Sequence, residues 1–259
     1  MYNPLAPNQN GNDSYQFLMM SGFQKFQNLP GVFLKEDLQP LEVICGINMP
    51  CNFQVFPADV YGNQAGEIPL FQSKEHSECC QRVCLPASCR SYDIQVNSYN
   101  SGPFLQMHRS FRCTCLCCNR PEVEVNVVDN GQNLYAGKVV NPFYCCDLGV
   151  HVYDRAHNLK FIVEGSCCQC GVLCRPWPCE SCQTVYFDVK SPDGTVLSNL
   201  IKRSPGCLKA CITNLDNFSV VFPPNASVED KALLTATALL INYSYFEETP
   251  QQKNQQNGY

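Results

Sequence analysis

No long run of lysine or arginine occurs in the 259 residues; the 18 basic side chains are scattered and the formal charge is −5. Neutralising a phosphate backbone takes clustered cations, so nucleic-acid binding as the main role is disfavoured. The N-terminus, MYNPLAPNQNGNDSYQF, has neither a basic leader nor an apolar stretch behind it, so secretion is not expected. The Asn-x-Ser triplets at Asn12, Asn217, Asn225 and Asn242 therefore count for little as glycan sites. Catalytic signatures are missing too: there is no GxSxG, Walker A or dinucleotide fingerprint. The four histidines, His76, His108, His151 and His157, stand apart from any recognisable nucleophile. His76, three residues before Cys79, raises a His/Cys metal site as one option and a surface histidine as the plainer one. The expectation is a protein that is not an enzyme.

Cysteine, by contrast, is abundant, with 20 residues. They bunch as Cys79-Cys80, Cys113/Cys115/Cys117/Cys118, Cys145-Cys146 and Cys167-Cys168/Cys170. A bridge between neighbours closes almost no loop, so the pattern is a poor disulfide framework. The reducing side of a membrane is the better reading. With 45% apolar residues the chain is globular and can build a core without covalent staples.

Residues 1–28 and 250–259 are polar and lack an apolar period, and read as a flexible arm and tail around a domain at 29–249. Inside it, Val123, Val125 and Val127 alternate with Glu122, Glu124 and Asn126; Tyr92–Val96 and Val185–Val189 alternate likewise. These are half-buried strands of an antiparallel sheet or barrel. The order strand, turn, strand, Cys-Cys pair, strand, turn recurs at 53–112 and 150–206, which suggests one pseudo-symmetric barrel with two related halves.

The C-terminal segment differs. Ser227 caps a helix with acids in its first turn, and ALLTATALLINYSYF (232–246) follows, apolar on nearly every side. Such a helix is either the core of something larger or a membrane span. Fifteen residues rise about 22 Å, short of the roughly 30 Å hydrocarbon layer, and Asn242 would add a polar group. The core helix is expected at 228–246, with a span as the alternative.

Three constellations carry chemistry. In RCTCLCCNR (112–120) four cysteines crowd six residues, which suits thioester acylation of Cys113, Cys115, Cys117 and Cys118; metal binding or plain thiols are the alternatives. Arg112 and Arg120 would favour an anionic leaflet. Cys167, Cys170, Cys179 and Cys182 form two CxxC pairs with the ligand types of a zinc site, although chance pairs are expected in a chain this rich in cysteine. NLDNFSVVFPPN (214–225) places Asn214, Asp216, Phe218, Val220 and Asn225 at calcium-loop positions. Only Asp216 is a carboxylate there, so a site would be weak; a polar turn before a strand is the competing reading.

Several of these features, in this order, resemble the phospholipid scramblase family. Leu41-Glu42-Val43 with Gly46, Cys79-Cys80 with Arg82 and Cys84, FRCTCLCC (111–118), Asp216-Asn217-Phe218 with Phe222-Pro223, and Tyr245-Phe246-Glu247 carry the likeness across about residues 30–248. The resemblance implies a mostly β, Tubby-like fold: a closed antiparallel barrel of about twelve strands around a central hydrophobic C-terminal helix. It implies calcium-stimulated, ATP-independent movement of phospholipids between leaflets by a palmitoylated lipoprotein. The place implied is the cytoplasmic face of the plasma membrane, lipid-anchored or single-span, with the nucleus left open. Ca2+ would be the cofactor by resemblance and Zn2+ a second candidate. Membrane phospholipids would be the partners, and protein partners are unspecified. The chain departs from the family in its acid-poor calcium segment, its longer cysteine-rich 167–182, and an N-terminal arm without PPxY. A second function stays beside the first: an acyl-anchored phosphoinositide- or anionic-lipid-binding tether or adaptor without scrambling activity.

Overall fold

The structure, a computed structural model, describes residues 21–37, 52–85, 89–99, 102–114, 117–129, 131–145, 147–173, 179–204 and 217–246. Its strands are β1 (Gly31–Glu36), β2 (Phe53–Ala58), β3 (Phe71–His76), β4 (Tyr92–Ser98), β5 (Gly102–Arg109) and β6 (Glu122–Asp129). They continue as β7 (Gln132–Val140), β8 (Asp147–Asp154), β9 (Leu159–Ser166), β10 (Thr184–Lys190), β11 (Val196–Arg203) and β12 (Asn217–Val221). Each strand pairs antiparallel with its neighbours in sequence, and β1 also pairs with β12, so the meander closes into the twelve-stranded barrel that the family resemblance implies. Alternation decides which face points in. Along β4 the buried residues are Tyr92, Ile94, Val96 and Ser98, and between them Asp93, Gln95 and Asn97 face outward.

Twelve strands spaced ~4.8 Å apart and tilted by roughly 40° enclose a backbone cylinder about 24 Å across. Inward side chains alone do not fill that width; a helix about 10–12 Å in diameter along the axis does. The helix α5 (Val228–Ile241) takes this place, touching β6, β7, β8 and β12. Thirteen of its 14 residues are buried, so its apolar surface on every side meets wall on every side. The single-span alternative is thereby corrected: the segment is the barrel's core, and no helix among the described residues is long and apolar enough to cross a membrane. Ser227 and Asp230 form a capping box at its start (3.2 and 3.1 Å), and Lys160 Nζ lies 2.6 Å from Asp230 Oδ1. The hydroxyls of Thr235 and Thr237 donate to Lys231 O and Leu233 O, which satisfies polar groups buried mid-helix.

One end of the barrel is closed by α1 (Gly22–Gln27), capped by Ser21 and Gln24. Residues 21–28 are thus not part of a flexible arm, because Phe26 is buried among Phe71, Phe104 and Phe222 with ring centroids 5.3–5.9 Å away. At the other end the last turn widens into a π-helical turn (Asn242–Phe246). Tyr243 stacks on Tyr92 and donates to Glu75, and Tyr245 bridges to Gly149.

The two-halved pattern has a hydrogen-bonded counterpart. After β2, Asp59 Oδ1 accepts from the amides of Tyr61 and Asn63 (2.9 and 2.8 Å), and Gly62 takes φ +75°. After β8, Asp154 Oδ1 accepts from the amides of Ala156 and Asn158 (both 2.9 Å), and His157 takes φ +63°. This aspartate-bound turn recurs six strands on, halfway around the barrel; its backbone form also closes β10 and β11, where Ser191 N donates to Thr195 O at 2.9 Å and Gly194 takes φ +89°.

Candidate functional site

An up-and-down meander sorts its connections by parity. The turns after even-numbered strands leave one end of the barrel, and the connections after odd-numbered strands leave the other. Tight turns such as 59–63, 154–158 and 191–195 occupy the first end, together with α1 and the start of α5. All thirteen cysteines among the described residues lie at the second.

Between β3 and β4 they are Cys79, Cys80 and Cys84 on α2 (Cys79–Cys84), and Cys89. Between β5 and β6 they are Cys113, Cys117 and Cys118, and between β7 and β8, Cys145. Between β9 and β10 they are Cys167, Cys168, Cys170, Cys179 and Cys182, around the short helices α3 (Cys170–Leu173) and α4 (Glu180–Gln183). Ten of the thirteen are exposed; Cys89 and Cys182 are buried and Cys167 is half-buried. Cysteine is ordinarily among the most buried residue types, so an exposed set of this size is a feature of the surface rather than of the core.

Large apolar side chains accompany the thiols. Phe111 is 53% exposed two residues before Cys113, Phe143 is 48% exposed two before Cys145, and Leu173 is 68% exposed at the end of α3. The loops bearing them are tied together. Arg112 N donates to Cys89 O at 3.2 Å, and Arg120 donates to the carbonyls of Asn141 and Pro142 at 3.0 and 3.2 Å. The Asn141 amide in turn donates to Gly149 O (3.1 Å) and Tyr245 OH (2.5 Å), so this end is fastened to the π-helical turn. Beneath it, Tyr144 OH meets His151 Nε2 at 3.0 Å and Glu164 at 3.4 Å. Burial, aided by Glu164, pushes the Tyr144 phenol up; burial pushes His151 down despite Glu164.

The expected sites fall as follows. Cys113, Cys117 and Cys118 share one exposed loop, and Cys115 lies outside the described residues. Arg112, expected with Arg120 to favour an anionic leaflet, pairs with Glu122, and Arg120 donates to the 141–142 backbone, where they hold the loop in place. Cys167, Cys170, Cys179 and Cys182 belong to one connection; among the described residues no three or more His, Cys, Asp or Glu side chains are grouped so as to hold a metal ion. Of the calcium segment, Asn214 and Asp216 lie outside the described residues. Phe218 and Val220 sit on β12, paired on both sides to β1 and β11, with their side chains in the core. Asn225 is in the exposed turn before α5. The histidines stay apart: His76 ends β3, His108 pairs with Asp93 at 2.6 Å, and His157 is in its turn. Phe111, Phe143 and Leu173 were missed by sequence reasoning, although each is written within three residues of a cysteine.

The sequence pattern of the Scramblase family matches residues 17–248. Phospholipid scramblase 1 of Homo sapiens is 23% identical over 235 residues, covering 90% of this chain and 68% of the relative. Phospholipid scramblase 2 of Bos taurus is 23% identical over 231 residues, covering 88% of this chain and 72% of the relative. Phospholipid scramblase 4 of Homo sapiens is 27% identical over 167 residues, 64% of this chain and 48% of its own length. No solved structure matches.

Proposed function

The chain belongs to the scramblase family, and on that premise we propose that it mediates movement of phospholipids between membrane leaflets, stimulated by calcium and independent of ATP. The observation that carries this reading is the family match, which spans the barrel from α1 through the π-helical turn. The relatives it resembles include phospholipid scramblases 1, 2 and 4. Thioester-linked acyl chains on Cys113, Cys115, Cys117 and Cys118 anchor it at the cytoplasmic leaflet of the plasma membrane. Two or more chains make such anchoring stable.

The barrel limits how a lipid could cross. Its axis is filled by α5, and its outward rows include Asp93, Gln95, Glu124, Lys138, Glu164 and Asp188. A wall in contact with hydrocarbon carries an apolar band there, so the barrel stands beside the bilayer and a crossing head group passes outside it. The filled axis and polar wall also favour a second reading, an acyl-anchored tether or adaptor that binds phosphoinositides or other anionic lipids without moving them.

Calcium would act through 214–225, where a single carboxylate, Asp216, makes the expected stimulation weak. Zinc at Cys167, Cys170, Cys179 and Cys182 is tested by metal content of the reduced protein.

Proteoliposomes containing the acylated chain and a fluorescent phospholipid, treated with a membrane-impermeant reductant, separate the two readings. Loss of signal from both leaflets without ATP, increased by calcium, supports lipid movement. Loss from the outer leaflet alone, with the protein firmly bound, overturns it and leaves the tether.

A further inference from the structure

We propose that acyl attachment extends beyond the 113–118 loop to Cys79 and Cys80 ahead of β4 and to Cys168 and Cys170 ahead of β10, so that the barrel stands on the lipid surface on its thiol-bearing end. The inference rests on the anchoring reading above and adds to it the sites and the orientation.

The geometry is that of the strand order. The connection from β3 to β4 and the connection from β9 to β10 are six strands apart in a barrel of twelve, so they face each other across the same rim. The 113–118 loop, between β5 and β6, is beside the first of them. Chains on that loop alone would hold the barrel at one point of its rim and leave it free to swing. Chains on opposite sides of the rim fix its axis against the membrane.

The side chains are suited to it. Cys79, Cys80, Cys168 and Cys170 are all exposed, which a thiol needs in order to reach an acyl donor. Cys168 Sγ lies 3.9 Å from Cys167 Sγ, and Leu173, one turn beyond Cys170, projects at 68% exposure. Phe111 and Phe143 project from the loops that complete this end. Apolar side chains of this size add contact with the hydrocarbon boundary once acyl chains bring the rim to it.

The covalent step is thioester exchange with a long-chain acyl-CoA. The cysteine thiolate attacks the acyl carbonyl carbon, a new C–S bond to the protein forms, and the C–S bond to coenzyme A breaks. The departing thiolate takes up the proton that the cysteine released. One thioester replaces another, and no oxidant or reductant enters.

The test uses the full chain expressed in cells that carry acyltransferases, with each thioester cleaved by hydroxylamine and replaced by a mass tag. The wild type is expected to give a ladder of more than four steps, and the variant with Cys113, Cys115, Cys117 and Cys118 all changed to Ser is expected to keep several. Isotopic alkylation of the hydroxylamine-released thiols in the wild type, which needs no variant, is expected to mark Cys79, Cys80, Cys168 and Cys170. A ladder in the wild type that vanishes entirely in the fourfold Ser variant, with no mark at those four residues, overturns this inference and leaves the anchoring reading standing. A wild type without any hydroxylamine-sensitive step overturns both.

Discussion

Lys231 is buried near the start of α5, and its ammonium donates to three backbone carbonyls, Gln27 O at 2.6 Å, Leu29 O at 2.8 Å and Phe26 O at 3.5 Å. These belong to the end of α1 and the residues after it; Phe26 O also accepts from Leu29 N at 3.3 Å. Burial lowers the pKa of this lysine, so its charge is held at a penalty that the three acceptors offset. Lys231→Met would remove the donor and leave the carbonyls buried; a loss of about 2 kcal/mol is expected in urea unfolding, with faster amide exchange in α1. The turn aspartates act through titration. The backbone hydrogen bond from Asn158 chiefly holds Asp154 below its ordinary 3.8, against an opposing effect of burial and with help from the Ala156 amide, the Asn158 side chain and Lys160. Its contribution is in place above that value and is lost as pH falls through the depressed folded pKa. Asp154→Asn keeps an acceptor oxygen and removes the titration. The stability gap between wild type and variant should therefore narrow as pH falls from about 6 to about 2. The turns at Asp59 and Asp154 were legible only as unspecified turns in the repeated order of 53–112 and 150–206. Their identity lies in backbone conformation, with Gly62 and His157 both at positive φ, and side-chain type does not report that. The partners of Arg112 and Arg120 were not legible either, since Glu122 and Asn141 meet them only across the β5–β6 and β6–β7 pairs.

At the scale of elements, α5 was the most legible piece. A helix apolar on all sides has to be enclosed, and its length already argued for protein rather than lipid as the enclosure. The change to a π-helical turn at Asn242 was not legible, because it answers to the walls. Tyr243 reaches Glu75 on β3 and Tyr245 reaches Gly149 on β8, while Phe246 lies 6.4 Å from both Phe187 and Phe218 and under Lys202 Nζ at 4.4 Å. A wider turn spreads these three side chains to different strands. Leu240 is fully buried in α5, and Leu240→Ala should destabilise the barrel by about 2–5 kcal/mol. Native-state hydrogen exchange should place the amides of 233–240 among the slowest in the chain; rapid exchange there would contradict an axial core helix.

At the scale of the molecule, the alternating strands indicated an antiparallel sheet or barrel, and the repeated halves favoured a single barrel. The sorting of cysteines to one end was not seen. It follows from whether the number of strands before each cluster is odd or even, and a single miscounted strand inverts that answer. With the order known, exposed thiols and the exposed Phe111, Phe143 and Leu173 share one end, while Val60, Tyr61 and Ile68 project from the β2–β3 connection at the other. The proposed placement sets the thiol-bearing end against lipid. It is tested most directly by tryptophan quenching in vesicles of brominated phospholipid. The reporters are Phe111→Trp and Tyr61→Trp, each in acylated protein whose own Trp177 is replaced by Phe. Strong quenching of the tryptophan at 111 and little at 61 is expected; equal quenching, or the reverse order, would contradict that placement.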